Sequence, residues 1–205
     1  MSKKFTFAVN QKVVYPGQGV GEITEICKKE FKEEMLQYYV IYLEDSDMTM
    51  MVPVMRAEEL GIRTIVSKKD AESALDFLSK EVEQGPLDWK MRYQMNLDLF
   101  KSGGVLDNST IVRSLYHRSK IKELPIQERK LYDSAYRIFE DEISAALGLP
   151  QNEIKSLIHT YLEKFSEEKS ELSEENLQDD FDDDLDDEDP FDSLDADDEE
   201  DFDDE

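Results

Sequence analysis

Over the first third of the chain, apolar residues fall in short β-favouring runs: Phe7–Val9, Lys12–Tyr15, Gly21–Cys27, Tyr38–Leu43, Thr49–Val52 and Ile62–Val66. The run from Gln37 to Leu43 is rich in aromatic and β-branched residues, and Glu44-Asp45-Ser46-Asp47 supplies the turn to the next strand. Pro16-Gly17 is a turn pair, and glycines at 17, 19 and 21 suit the positive φ angles and close backbone approach of a tightly curved sheet. Residues 1–66 are therefore expected to form a small barrel-like sheet. A phosphate-cradling loop is excluded, because Glu22 stands where a third glycine is needed and a strand pattern follows instead of a helix.

Past Ser67 the period becomes helical. Ser67 is placed to cap a helix running to about Glu83, with Ala71, Ala74, Leu75 and Leu78 on one side and Gln84-Gly85-Pro86 as its stop. Asp88 caps a second, in which Trp89, Tyr93, Leu97 and Phe100 recur until Ser102-Gly103-Gly104. A third starts at Asp107, Asn108 or Ser109, with Ile111, Val112, Leu115 and Tyr116 inward and Arg113, His117 and Lys120 on the other face. Pro125 opens a fourth that Gly148-Leu149-Pro150 breaks, and a fifth spans about Asn152 to Lys164. The expected class is α+β: a small β module over residues 1–66, an all-helical module over 67–165, and a tail over 166–205.

Charge is distributed unevenly. The tail holds 24 acidic residues against one base, Lys169, for a net of −23, whereas the rest of the chain is close to balance at −3. Single apolar residues such as Phe181, Leu185, Phe191, Leu194 and Phe202 are scattered through the acidic run, a composition expected to stay disordered. No segment approaches the length of a membrane span, and the N-terminus has no apolar run behind Lys3 and Lys4, so a soluble cytoplasmic protein is expected. Cys27 is the single cysteine, which excludes an internal disulfide and a cysteine-based zinc site.

Catalytic chemistry finds little support. His117 and His159 are the only histidines, they lie in different helices, and no nucleophile elbow, P-loop or metal-ligand spacing is present. A binding protein without enzymatic activity, cofactor or metal is expected. Residues 86–140 carry ten bases and seven acids, and Arg113, His117, Arg118, Lys120 and Lys122 cluster around one helix end as a candidate phosphate-contacting patch. Trp89, the only tryptophan, has two readings: a core ring on the stripe of Tyr93 and Leu97, or an exposed ring that wedges against an unstacked base while Lys90 and Arg92 hold phosphates.

The order of these features resembles the CarD/CdnL family of bacterial transcription regulators. The matching blocks are Val13-Val14-Tyr15-Pro16 with Gly19, Asp47-Met48-Thr49-Met50-Met51-Val52-Pro53, Leu60-Gly61-Ile62-Arg63, Asp88-Trp89-Lys90-Met91-Arg92-Tyr93, Asn96-Leu97, Lys101-Ser102-Gly103 and Ile111-Val112-Arg113-Ser114-Leu115-Tyr116. The resemblance implies an N-terminal Tudor-like module that docks on the β subunit of RNA polymerase by β-strand addition, like the related module of the transcription-repair coupling factor. It implies that Lys29, Phe31, Thr49 and Met51 fall at that contact. It further implies that the helical module meets promoter DNA without sequence specificity, with Trp89 wedged at the upstream edge of the melted bubble. Met51, Met91 and Gln94 stand where family members carry basic residues, and losing phosphate-facing charges weakens DNA affinity and flattens its salt dependence.

The expected function is therefore a monomeric transcription regulator that binds RNA polymerase and stabilises the open promoter complex. The basic face around Arg113 joins Trp89, Lys90, Arg92, His117, Arg118 and Lys120 as its DNA contacts. The competing expectation is a polyanionic interaction protein whose tail binds basic partners as a nucleic-acid mimic.

Overall fold

A computed structural model of the chain describes residues 6–31, 34–81, 85, 86 and 88–169, with only the backbone described for Phe31 and residues 165–169. Five antiparallel strands, β1 (Lys12–Tyr15), β2 (Gly19–Phe31), β3 (Glu34–Leu43), β4 (Met48–Pro53) and β5 (Arg63–Thr64), form one sheet in the order β4-β3-β2-β1-β5. Five helices follow: α1 (Lys68–Leu78), α2 (Trp89–Ser102), α3 (Val105–Ile121), α4 (Ile126–Leu147) and α5 (Gln151–Lys169). The α+β class is as expected. Among the described residues no pairing joins β4 to β5, so the sheet is not a closed barrel.

Alternation along β3 decides which side of the sheet is core. Tyr39, Ile41 and Leu43 are buried with Val13, Ile23, Val52 and Phe7, while the residues between them are more exposed. Gly21 lies within this layer, where an added Cβ would stand 2.6 Å from Cγ2 of Ile41, so close packing of β2 against β3 requires glycine there. Phe7–Val9 is not a strand, contrary to expectation. The Tyr39 hydroxyl accepts from the backbone N–H groups of Thr6 and Phe7, Gln11 Oε1 accepts from that of Ala8, and Asn10 turns the chain with φ of 65°. With its donors satisfied by side chains, this segment has no need of a strand partner.

The hairpin β2–β3 is longer than its apolar pattern suggests. Its pairing continues to Phe31 and Glu34, beyond Glu22 where β1 stops pairing and beyond Tyr38 where β4 stops. Residues 27–31 and 34–37 thus form a two-stranded ribbon projecting from the sheet.

The helices begin and end close to their predicted signals. Ser67 Oγ caps α1 by accepting from Asp70 N–H, Asp88 caps α2 through Lys90 N–H, and Gly103 and Gly148 close α2 and α4 in left-handed conformations. Three boundaries differ from expectation. α1 stops at Leu78, because the N–H of its C-cap Ser79 turns back to Asp76 and Phe77. α3 starts at Val105 with Gly104 as N-cap, because Asp107 is engaged by the Ser102 hydroxyl inside the first turn. α5 continues to Lys169, four residues into the segment assigned to the tail. The remaining expectation for the tail lies outside the described residues. The buried faces of the helices, among them Leu97, Phe100, Ile111, Leu115, Leu131, Phe139, Ile143 and Ile158, form the helical core.

Candidate nucleic-acid and polymerase interface

Trp89 is the first residue of α2, directly after its Asp88 cap, and is half-buried. It is absent from the core that Tyr93, Leu97 and Phe100 join on the same helix. The Lys90 ammonium lies 5.8 Å from the centre of the indole, and Lys90 is exposed. The first turn of α2 therefore presents an aromatic surface beside a cation, in a helix N-terminus whose N–H groups attract anions.

What holds this turn in place is Arg92, which sequence reasoning assigned to phosphate contact. That assignment is corrected: its side chain is 8% exposed and forms a fork on the fully buried carboxylate of Glu128, with Nε and Nη2 at 2.7 and 2.8 Å from the two oxygens. Its Nη1 donates to the carbonyl of Pro86 at 3.0 Å. One guanidinium thus ties the segment before α2, the first turn of α2 and the first turn of α4 together. Bidentate geometry of this kind suits arginine and not lysine.

The expected basic face beginning at Arg113 is corrected as well. Arg113 is buried, its guanidinium carbon sits 4.0 Å from the centre of the Phe77 ring, and Nη1 donates to the Phe77 carbonyl at 3.3 Å. It fastens α3 to the end of α1 by a cation–π contact and does not face solvent. His117 and Arg118 are half-buried, and Lys120 is exposed but 3.1 Å from Glu163 on α5. Tyr116 completes that cluster through a hydrogen bond to Glu163, with the Lys120 ammonium 4.9 Å above its ring. Hydrogen bonding to Tyr116 and then to Glu163 raises the Lys120 pKa, so it stays cationic. The same hydrogen bonds, from Tyr116 first and then Lys120, hold the Glu163 carboxyl below its ordinary value.

The Arg92–Glu128 fork ties the start of α2 to the start of α4, next to the turn between α3 and α4 that carries Lys122 of the expected patch. The exposed Ile121 and Ile126 flank this turn, and Arg129 and Lys130 follow in the first turns of α4, with Arg129 2.7 Å from the exposed Glu123. No sequence signal announces that Glu128 and Arg92 meet, since they are separated by 36 positions.

On the sheet, the expected polymerase contacts occupy two places. Thr49 and Met51 lie on the edge strand β4, opposite Tyr42 and Val40, whereas Lys29 and Phe31 lie on the projecting ribbon, opposite Leu36 and Glu34. The register gives Lys29, Thr49 and Met51 the face opposite Tyr39, Ile41 and Leu43, and all three are exposed. Positions 29 and 51 are offset by four residues along β3, about 13 Å.

Among the described residues no group of histidine, cysteine, aspartate or glutamate could hold a metal ion, and no helix is long and apolar enough to cross a membrane. Two open grooves lie on the surface, one over α5 and one between the end of α3 and the start of α4, lined by Ser119, Leu124, Arg129 and Tyr132 among others. The arrangement suits recognition of an extended surface.

Residues 7–66 match the CarD-like/TRCF RID domain, a polymerase-interacting module, and residues 73–159 match the CarD C-terminal domain. The chain is 33% identical over 150 residues to the "Putative transcription factor YdeB" of Bacillus subtilis (strain 168), an alignment that takes in 73% of this chain and 98% of that protein. The acidic run from Ser166 lies beyond both matched domains. A polymerase-interacting module joined to the helical domain that defines its relatives, over nearly the whole length of one of them, places this chain in the CarD/CdnL family, with a role in transcription through RNA polymerase.

Proposed function

We propose that the protein docks on the β subunit of RNA polymerase through its Tudor-like sheet and stabilises the open promoter complex by setting Trp89 against the edge of the melted DNA. The observation that carries this reading is the seating of Trp89: a half-buried indole at a helix N-terminus, beside Lys90 and braced by Arg92, Glu128 and Pro86. An aromatic ring in that position meets any unstacked base, because every base has a π face. Phosphates would be met by Lys90, Lys120 and Arg118, by Lys122 on the turn after α3 and by Lys130 on α4, giving affinity without a sequence code. The edge strand β4, with Thr49 and Met51 outward, offers unpaired backbone groups for strand addition. Selectivity would then follow how readily each promoter melts. The protein acts by binding, as a cytoplasmic monomer, and needs no cofactor.

The test is the lifetime of the open complex formed by the cognate polymerase on a weakly melting promoter. The wild type is expected to lengthen it and Trp89→Ala to lose the effect while keeping its affinity for polymerase. An equal effect from both would overturn the wedge. A second reading rests on the net charge of −23 over residues 166–205: a polyanion that binds basic partners. Trp89→Ala leaves such binding untouched, whereas deletion of residues 166–205 abolishes it.

A further inference from the structure

One guanidinium joins the sheet to two helices. Arg63 lies on β5, paired beside Val14 of β1, and its Nη1 and Nη2 form a fork on the two oxygens of Glu142 in α4, the second bond at 2.8 Å. Its Nε and Nη2 also donate to the carbonyl of Gly103, the C-cap of α2, at 3.1 and 2.6 Å. Glu142 is fully buried and takes a further hydrogen bond from the Val66 N–H at 3.3 Å. Gly103 is also pressed against the β1–β2 turn: an added Cβ would lie 2.7 Å from Cγ of Pro16. The end of α2, where the helix dipole is negative, is thus held by a cation that belongs to the sheet.

The opposite end of the same helix carries Trp89. α2 has 14 residues and is therefore about 20 Å long. An angular play of about 10° at the Gly103 anchor would displace Trp89 by about 3.5 Å, close to the 3.4 Å rise between stacked bases. A ring that acts at one base step cannot tolerate that error.

Building on the open-complex reading above, we propose that Arg63, through Glu142 and the Gly103 carbonyl, is a positioning residue that fixes the span between the polymerase-docking sheet and Trp89, so that the protein works as a rigid ruler. Arg63 is committed to Glu142 and the Gly103 carbonyl and is not one of the residues assigned above to polymerase or DNA. It acts by removing freedom between the two modules, so that polymerase binding on one side is converted into placement of the indole on the other.

Arg63→Met separates this role from docking. In a Cys27→Ala background, cysteines at Thr49 on β4 and Met91 on α2 carry spin labels, and the free protein gives the distance distribution between them. Unlabelled Arg63→Met is titrated with polymerase and assayed for open-complex lifetime. The expected result is a broadened distribution, unchanged affinity for polymerase and loss of most of the lifetime extension. Glu142→Gln, which keeps the shape and removes only the charge, is expected to do the same to a smaller degree and serves if Arg63→Met does not fold. An unchanged distribution in a folded variant overturns the splint, and a broadened one with full lifetime extension overturns the ruler. If the wild type does not lengthen the open complex, the functional reading fails, and the splint is judged by the distance distribution alone.

Discussion

Arg92 and Glu128 meet as a two-bond fork with almost no exposure to solvent, 36 residues apart in sequence, with Arg92 about one helical turn after Trp89. A charge pair so deeply placed is costly to break, because the survivor is left buried without a partner. Arg92→Ala or Glu128→Ala is expected to lower stability by about 3–5 kcal/mol in chemical denaturation. Replacing both by apolar residues, Arg92→Met with Glu128→Leu, is expected to recover most of that loss. A double variant no more stable than the singles would show that the fork itself, and not relief of a stranded charge, maintains the fold.

The same geometry separates Arg92 from Lys90 as a ligand for DNA. Lys90→Ala is expected to reduce the slope of log affinity against log salt by about 0.9, as removal of one phosphate contact does. Arg92→Met with Glu128→Leu, where folded, is expected to leave that slope unchanged. Binding isotherms at four or five salt concentrations decide between them, and a lower slope in the double variant would return Arg92 to the DNA surface.

Met91 is 59% exposed on α2, two residues after Trp89, so a charged side chain can be accommodated there without burial. Met91→Lys is expected to steepen the salt slope by about 0.9 and to tighten DNA binding at low salt, with no change in thermal stability beyond a few tenths of a kcal/mol. An unchanged slope would mean that this face of α2 does not approach phosphate.

Gly103 has φ of 70°, and its Cα faces Pro16 at a distance that leaves no room for a methyl group. Gly103→Ala combines left-handed strain with displacement of Pro16 and is expected to cost at least about 1–3 kcal/mol. Gly148→Ala has the same strain but open space around its Cβ, so its cost is expected to be smaller. Equal losses from the two substitutions would show that contact with Pro16 contributes nothing.

Burial raises the pKa of Glu140, and the nearby Asp141 and Asp45 add to the shift, while Lys155 at 3.7 Å opposes it. Because the folded value lies above the ordinary 4.5, folding bears the cost of a buried charge at neutral pH, and this cost fades as pH falls through the raised value. Glu140→Gln is therefore expected to raise the melting temperature at neutral pH, with the gain shrinking on acidification and gone below 4.5. A gain independent of pH would assign the effect to hydrogen bonding instead of charge.

Much of this architecture can be read from local signals, because local physics sets them. Ser67, Asp88, Gly103 and Gly148 mark helix ends through their own backbone and side-chain geometry, and the apolar period of α4 needs no distant partner to be recognised. The two interior arginines show where such reading ends. Arg113 falls on the polar face of a helical wheel, yet the wheel does not include the ring of Phe77 that draws the guanidinium inward. Arg92 has the composition of a phosphate ligand, and only the chain fold brings Glu128 to it. In the same way Gly103 is legible as a stop signal, but its contacts with Pro16 and Arg63 depend on how the sheet meets the helices. Trp89 fits neither of its two sequence readings completely, since a half-buried ring is partly packed and partly offered to a partner.

The projecting β2–β3 ribbon places the protein under a constraint of solubility. Past the Val54 N–H bond to the Gln37 carbonyl, the ribbon has no strand partner on its outer margins among the described residues, and a second copy can pair there as readily as any intended strand. Lys28, Lys29, Glu30 and Glu34 stand on this ribbon, all of them exposed, and Lys29 and Glu30 carry opposite signs side by side. Stacking such ribbons in register would oppose like charges at each of these positions, which discourages growth of a sheet between copies while leaving the margin open to a strand of different sequence. The charges that look least informative in this stretch thus act as a guard against self-recognition.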